Sequence, residues 1–320
     1  MSLERLGSHV RSGGVDQDTY FVVDEQKTRD NAVQSTSSAE VKQMAITEMP
    51  GAMKKMGWKR SAKLMQRWFD SPAWQIPAGW KNGTAFPDGQ YIPDEHCDDS
   101  IIKMSWLMEY SHARNAVADL LRERAFSEAG LAQISRRLRR LGWDGEGSYS
   151  YGRKNIIGRP SMSARELEQS YQNNYITVSG NATTHVLFDT MDDVYGSLGT
   201  YVLKVAVTGN AFKGLDGRRY VTAEYAGVYV KDFYDFTNDG SWDQPLGMWT
   251  PDGILIRSGS AMALVGGMNV YKSGKAIKVA FVRNSDFLKY KELTGQGGDF
   301  VIFSDVYWIK QSGYYPIPWD

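Results

Sequence analysis

Cysteine is almost missing from this chain. Of its 320 residues only Cys97 is a cysteine, so neither an intramolecular disulfide nor a cysteine-built zinc site can form. That suits folding in a reducing cytosol and is compatible with later export by a route that needs no disulfides. Long apolar runs are missing too. No stretch approaches the roughly 18 apolar residues of a spanning helix, so no transmembrane segment is expected. Charge of one sign is not in excess: 37 Lys and Arg face 37 Asp and Glu, which removes any chain-wide attraction to nucleic acid. Three common catalytic signatures are lacking as well: a glycine-rich phosphate loop opening a helix, a paired-histidine zinc helix and a nucleophile elbow. The start, Met1-Ser2-Leu3-Glu4-Arg5, has no apolar signal-peptide core, so export is expected to use a secretion machine.

What is present reads as a folded protein. Hydrophobic content of 42% with 23% charged residues is that of a globular chain able to bury a core. Residues 1–40 are polar and rich in Ser, Gly, Gln and Asp, and predict a flexible arm in which only Tyr20 to Val23 resembles a strand. Residues 41–160 carry helical periodicity and the basic excess. Trp58, Ala62, Met65 and Phe69 recur on one face of a helix after Pro50, with Lys54, Lys55, Lys59, Lys63 and Arg67 on the other. Ile101 to Phe126 predicts a long helix, and Ser127 to Leu141 a second one, N-capped by Ser127 and stopped by Gly142. From residue 161 to 320 the period becomes two. Strands are predicted at 175–178, 184–188, 201–208, 218–232, 253–257, 278–283 and 300–308, with turns at Leu215-Asp216-Gly217 and Pro251-Asp252-Gly253. The expected fold class is α+β: a helical N-terminal part, then a curved antiparallel sheet or half-barrel.

The stretch that invites chemistry closes the longest strand: Val228-Tyr229-Val230-Lys231-Asp232-Phe233-Tyr234-Asp235-Phe236. Carboxylates at the end of a buried strand sit on rigid backbone and still reach solvent. If the strand persists, Asp232 and Tyr234 share one face and Asp235 takes the other. Of the four histidines, His9, His96, His112 and His185, only His185 lies on a predicted strand where it could serve as an acid or base beside Asp232. His96 sits in Asp94-Glu95-His96-Cys97-Asp98-Asp99, a loop of metal-capable side chains more often found as a solvated acidic turn. Gly295-Gln296-Gly297-Gly298-Asp299 precedes a strand and reads as a hairpin turn rather than a phosphate cradle.

Two resemblances rest on these residues. Asp232-Phe233-Tyr234-Asp235, after the strand Tyr225–Val230, resembles the catalytic motif of the colicin M family, bacteriocins that cleave the phosphoester link of the lipid II peptidoglycan precursor in the periplasm with magnesium. That likeness implies Asp232 and Asp235 as Mg²⁺ ligands or water activators and Tyr234 as an orienting phenol. The family's motif is soon followed by a His-Arg pair, absent here, for which His185 or Arg257 could substitute in space. Separately, Met49 to Trp58, Leu64 to Phe69, Asp232 to Phe236 and Leu246 to Trp249 resemble an uncharacterised bacterial family found beside type VI secretion components. The implied protein is an antibacterial effector made in the cytoplasm and acting in the target cell's periplasm. Its expected partners are a component of the secretion apparatus, an immunity protein and a lipid-linked precursor, with no nucleic acid. The alternative is a non-enzymatic adaptor or structural protein that docks on the apparatus through its aromatic, basic helical part.

Overall fold

The computed structural model describes residues 20–24, 44–81, 92–178, 192–238, 242–256, 268–272, 275–276 and 278–319. Most of the expected arm and the expected strand at 184–188 therefore lie outside the described residues. The fold is α+β, and it forms two compact units, each assembled from three separated segments.

The larger unit, residues 74–180, 197–235 and 298–320, is built on an eight-stranded sheet. Its strands are β1 (Cys97–Asp98), β2 (Ser148–Tyr151), β3 (Gln172–Val178), β4 (Tyr201–Lys213), β5 (Arg219–Tyr234), β6 (Phe300–Phe303), β7 (Tyr307–Lys310) and β8 (Tyr314–Ile317). β4 and β5 form the expected hairpin. Gly217 turns it with φ of +80°, and the Asp216 carboxylate accepts the Arg218 amide. β2 and β3 pair with the free edge of β4, while β6, β7 and β8 pair in succession with β5. Every pairing is antiparallel except the two-residue contact of β1 with β6. A bulge at Thr208/Gly209 bends the hairpin, and a side chain at Gly209 would collide with the Thr222 carbonyl. The sheet thus curls into the expected half-barrel.

Both faces of its middle are covered. Leu203, Val205 and Val207 are buried on one face, as their alternation predicts, but Ala206 and Tyr229 on the other are buried as well. Leu167 of the helix Ala164–Ser170 packs there with Val301 and Phe303. The helix Glu128–Arg140 starts at Ser127, whose Oγ accepts the Gly130 amide, and buries Ile134 and Leu138 against Val221 and Ala223.

The long helix expected over 101–126 is instead broken. Met104–Leu107 and Ser111–Asp119 are separate α-helices, and Leu120–Ala125 is a π-helical turn. The Arg114 guanidinium donates to the carbonyls of Met108 and Glu109, which ends the first piece. At the end of the π turn the Arg124 and Ala125 carbonyls accept the side-chain amides of Asn174 and Asn173 on β3. Partners some 50 residues away decide the break.

The smaller unit comprises residues 1–73, 181–196 and 236–297. Its helix Lys59–Asp70 follows Met49–Lys55 after Gly57 reverses the chain at φ of +80°. Trp58, the N-cap, supplies no side-chain cap; the Asp193 carboxylate does so from elsewhere, accepting the Arg60 and Ser61 amides and the Ser61 hydroxyl at 2.7 Å. Trp68 is fully buried in a ring cluster with Phe69, Phe236 and Phe287. A three-stranded antiparallel sheet orders Ala280–Arg283, Pro245–Thr250 and Gly253–Ile256, the last two joined at the expected Pro251-Asp252-Gly253 turn. Tyr20–Asp24 pairs antiparallel with Met268–Lys272. The helix Asn284–Thr294 had no counterpart in the periodicity. Gly295, with φ of +66°, is its C-terminal stop, so the glycine-rich segment ends a helix rather than turning a hairpin.

Candidate functional site

β5 carries its strand conformation through Tyr234, with Asp232 opposite Ile302 and Tyr234 opposite Phe300 on β6. Alternation therefore puts Asp232 and Tyr234 on one face, as the sequence implies. The three motif residues meet different surroundings. The Tyr234 ring is buried and stacks on Phe300 with centroids 5.1 Å apart. Burial pushes its phenol well above the ordinary range. Asp235 accepts a hydrogen bond from Lys81 Nζ at 2.8 Å, in an ion pair whose carboxylate is only 12% exposed. Lys81 ends the short helix Ala78–Lys81.

Asp232 is the unusual one. No ion pair to a cation is formed by it among the described residues. Desolvation pushes its carboxyl well above the usual carboxylate range; the Phe233 amide opposes the shift, and the nearby Asp235 charge adds to it. A carboxyl disposed to keep its proton, beside one paired with a lysine, is an arrangement that proton-transfer sites use. His185 and Arg257, expected to replace the missing His-Arg pair, lie outside the described residues. Lys81 is a cation that local sequence reasoning missed, since it reaches Asp235 across 154 residues.

On the opposite face of β5 lies a second charged group that periodicity gave no reason to expect. Lys204 and Lys231 both donate to Glu168 Oε1, at 2.6 and 2.9 Å, and the Tyr229 hydroxyl donates to Oε2 at 2.8 Å. Desolvation works against the Glu168 charge, but Lys204 and Lys231 outweigh it and hold the carboxyl down to about 2. Lys204 is itself lowered: desolvation and the like charge of Lys231 exceed the attraction of a carboxylate that it must share.

The acidic loop places its side chains structurally. Asp98 accepts the Ser100 and Ile101 amides, Asp94 pairs with Arg165, and His96 stacks on Trp74 with centroids 3.6 Å apart. Among the described residues no group of three or more His, Cys, Asp or Glu is placed to hold a metal ion. The motif itself offers two carboxylates, one engaged with Lys81 and one disposed toward its neutral form. These donors do not by themselves build a magnesium site.

The chain was compared with protein families, curated proteins and solved structures. A family described as a family of unknown function (DUF6402) matches residues 44–319. No curated protein and no solved structure matches.

Proposed function

Given that the chain belongs to that family over most of its length, we propose from its own site that the protein is an antibacterial effector acting in the target cell envelope. Its reaction would be hydrolysis of a phosphoester in a lipid-linked cell-wall precursor. The observation that carries the reading is the pair of unlike carboxyls at the end of β5: Asp232, half-buried, its carboxyl raised by desolvation and in no ion pair among the described residues, and Asp235, paired with Lys81. Water attacks phosphorus, the bond from phosphorus to the lipid oxygen breaks, and the lipid leaves as its alcohol. Asp232 supplies the proton to that oxygen, and the proton released by the attacking water restores its acid form. Lys81 faces the charge that builds on the phosphoryl oxygens. Tyr234, packed on Phe300, fixes the strand end on which Asp232 rides. In this reading type VI secretion delivers the protein, with a delivery component and an immunity protein as partners, as the resemblance of Met49 to Trp58 and Leu246 to Trp249 implies.

A second reading, a non-enzymatic adaptor of the secretion apparatus, is favoured by one observation. Lys54, Lys59 and Lys63 form an exposed basic surface on the first two helices of the smaller unit, beyond what packing requires. Compartment-specific toxicity separates the two. Routed to the periplasm of a susceptible bacterium by a fused export signal, the protein should arrest growth, while the same protein kept in the cytosol should be tolerated. Equal harmlessness in both compartments would favour the adaptor.

A further inference from the structure

The loop between β2 and the helix Ala164–Ser170 shows two large aliphatic side chains to solvent at its apex. Ile156 is fully exposed and Ile157 is 69% exposed. Single exposed hydrophobics are ordinary, but two adjacent isoleucines on an ordered protrusion are not a by-product of folding. The loop is ordered by its own hydrogen bonds. The Asn155 amide donates to the Arg159 carbonyl at 2.7 Å, the Gly158 amide donates to the Asn155 carbonyl, and the Asn155 carboxamide oxygen accepts the Ile157 and Arg159 amides. Gly158 supplies the left-handed corner with φ of +75°, and Lys154 and Pro160 bridge below it. The apex is therefore held outward before anything binds, so little ordering entropy opposes its insertion.

The charges around the apex choose the partner. Arg153, Lys154 and Arg159 flank the isoleucines, and no acid lies between Gly152 and Met162. Arg153 pairs with Glu166 and Lys154 with Glu224, leaving Arg159, which is exposed and in no ion pair among the described residues, as the unbalanced charge beside the tip. An aliphatic wedge beside the uncompensated Arg159 guanidinium matches a bilayer with anionic headgroups: the isoleucines enter the acyl boundary while Arg159 stays at headgroup level. A protein socket would have to match the shape of a convex tip, whereas a bilayer takes it without a preformed pocket. We propose that Ile156 and Ile157 form a membrane-docking tip that seats the larger unit on an anionic lipid surface. The inference does not rest on the hydrolase reading, because it uses no residue of the β5 site.

Cosedimentation of the full chain with extruded vesicles tests it, using phosphatidylcholine alone or with about one third phosphatidylglycerol. Wild type should pellet with both, and more with the anionic vesicles at low salt. Ile156→Ser/Ile157→Ser should weaken binding by about tenfold per side chain, about a hundredfold together. Arg159→Gln should lower binding only to the anionic vesicles, by about fivefold. Both positions are exposed, so the melting temperature should not move. If the double variant does melt lower, Ile156→Ser alone decides. Wild type remaining in the supernatant with both vesicle types would overturn the proposal and point to a protein partner. So would serine variants that pellet as well as wild type.

Discussion

Asp232→Asn should lose two to four orders of magnitude of activity, about 3–5 kcal/mol in the transition state, without losing stability. The substitution keeps the volume and removes the proton that Asp232 would give to the leaving oxygen. Its effect on folding should have the opposite sign to most polar substitutions in a sheet. The folded-state pKa of Asp232 is raised, so this carboxyl favours folding below its titration and costs stability as pH rises from its unfolded value toward its folded one. At neutral pH the wild-type chain bears that cost and an asparagine does not. The melting temperature of the variant should therefore equal or exceed that of wild type, a separation of stability from activity typical of functional positions. Asp235→Asn removes the counter-charge of Lys81 at a carboxylate that is only 12% exposed, and should lower stability by about 1–3 kcal/mol. Growth arrest from the periplasm and a thermal melt of each variant check both halves. Full activity in Asp232→Asn would remove the acid from the mechanism.

Glu168→Gln should be the most destabilising polar substitution near the sheet. Glu168 is the shared acceptor of Lys204, Lys231 and the Tyr229 hydroxyl. A glutamine keeps the shape but leaves two largely buried ammoniums facing each other without a counter-charge. Breaking a buried pair on one side costs about 3–5 kcal/mol. The same interaction has a pH signature. Glu168 is drawn from the ordinary 4.5 to about 2, so its contribution is complete above pH 4.5 and disappears as pH falls toward 2. That shift corresponds to about 3 kcal/mol. Wild type should lose this stability over that acid window in chemical denaturation, and Glu168→Gln should show the loss already at neutral pH with a flatter acid profile. Lys204→Met should cost less, since Lys231 still balances Glu168. A neutral-pH stability within about 1 kcal/mol of wild type for Glu168→Gln would contradict this account of the cluster.

Element type was legible in the residues wherever one face repeats. The β4–β5 hairpin followed from alternation around Asp216-Gly217, and the helix after Ser127 from its cap and its leucine stripe. Breaks were not legible when distant partners cause them. Nothing near residue 124 announces that Asn173 and Asn174 will take the carbonyls of a π turn. The helix Asn284–Thr294 escaped because Asn284 and Phe287 are its only buried residues, too few to write an apolar stripe. The site divides in the same way. Period two put Asp232 and Tyr234 on one face, but the Phe300 stack, the Lys81 pair and the Glu168 cluster join segments far apart in the chain. Local spacing reports which way a side chain leaves the backbone; what it meets there is set by the topology.

Incubation of the purified protein with a lipid-linked cell-wall precursor tests the central claim most directly, with products followed by mass spectrometry beside the Asp232→Asn variant. The account predicts that wild type releases the free polyprenyl alcohol and the phosphorylated head group, with incorporation of one oxygen from labelled water into the phosphate, and that the variant does so at least a hundredfold more slowly. Intact precursor after prolonged incubation with wild type, with and without added magnesium, would contradict it.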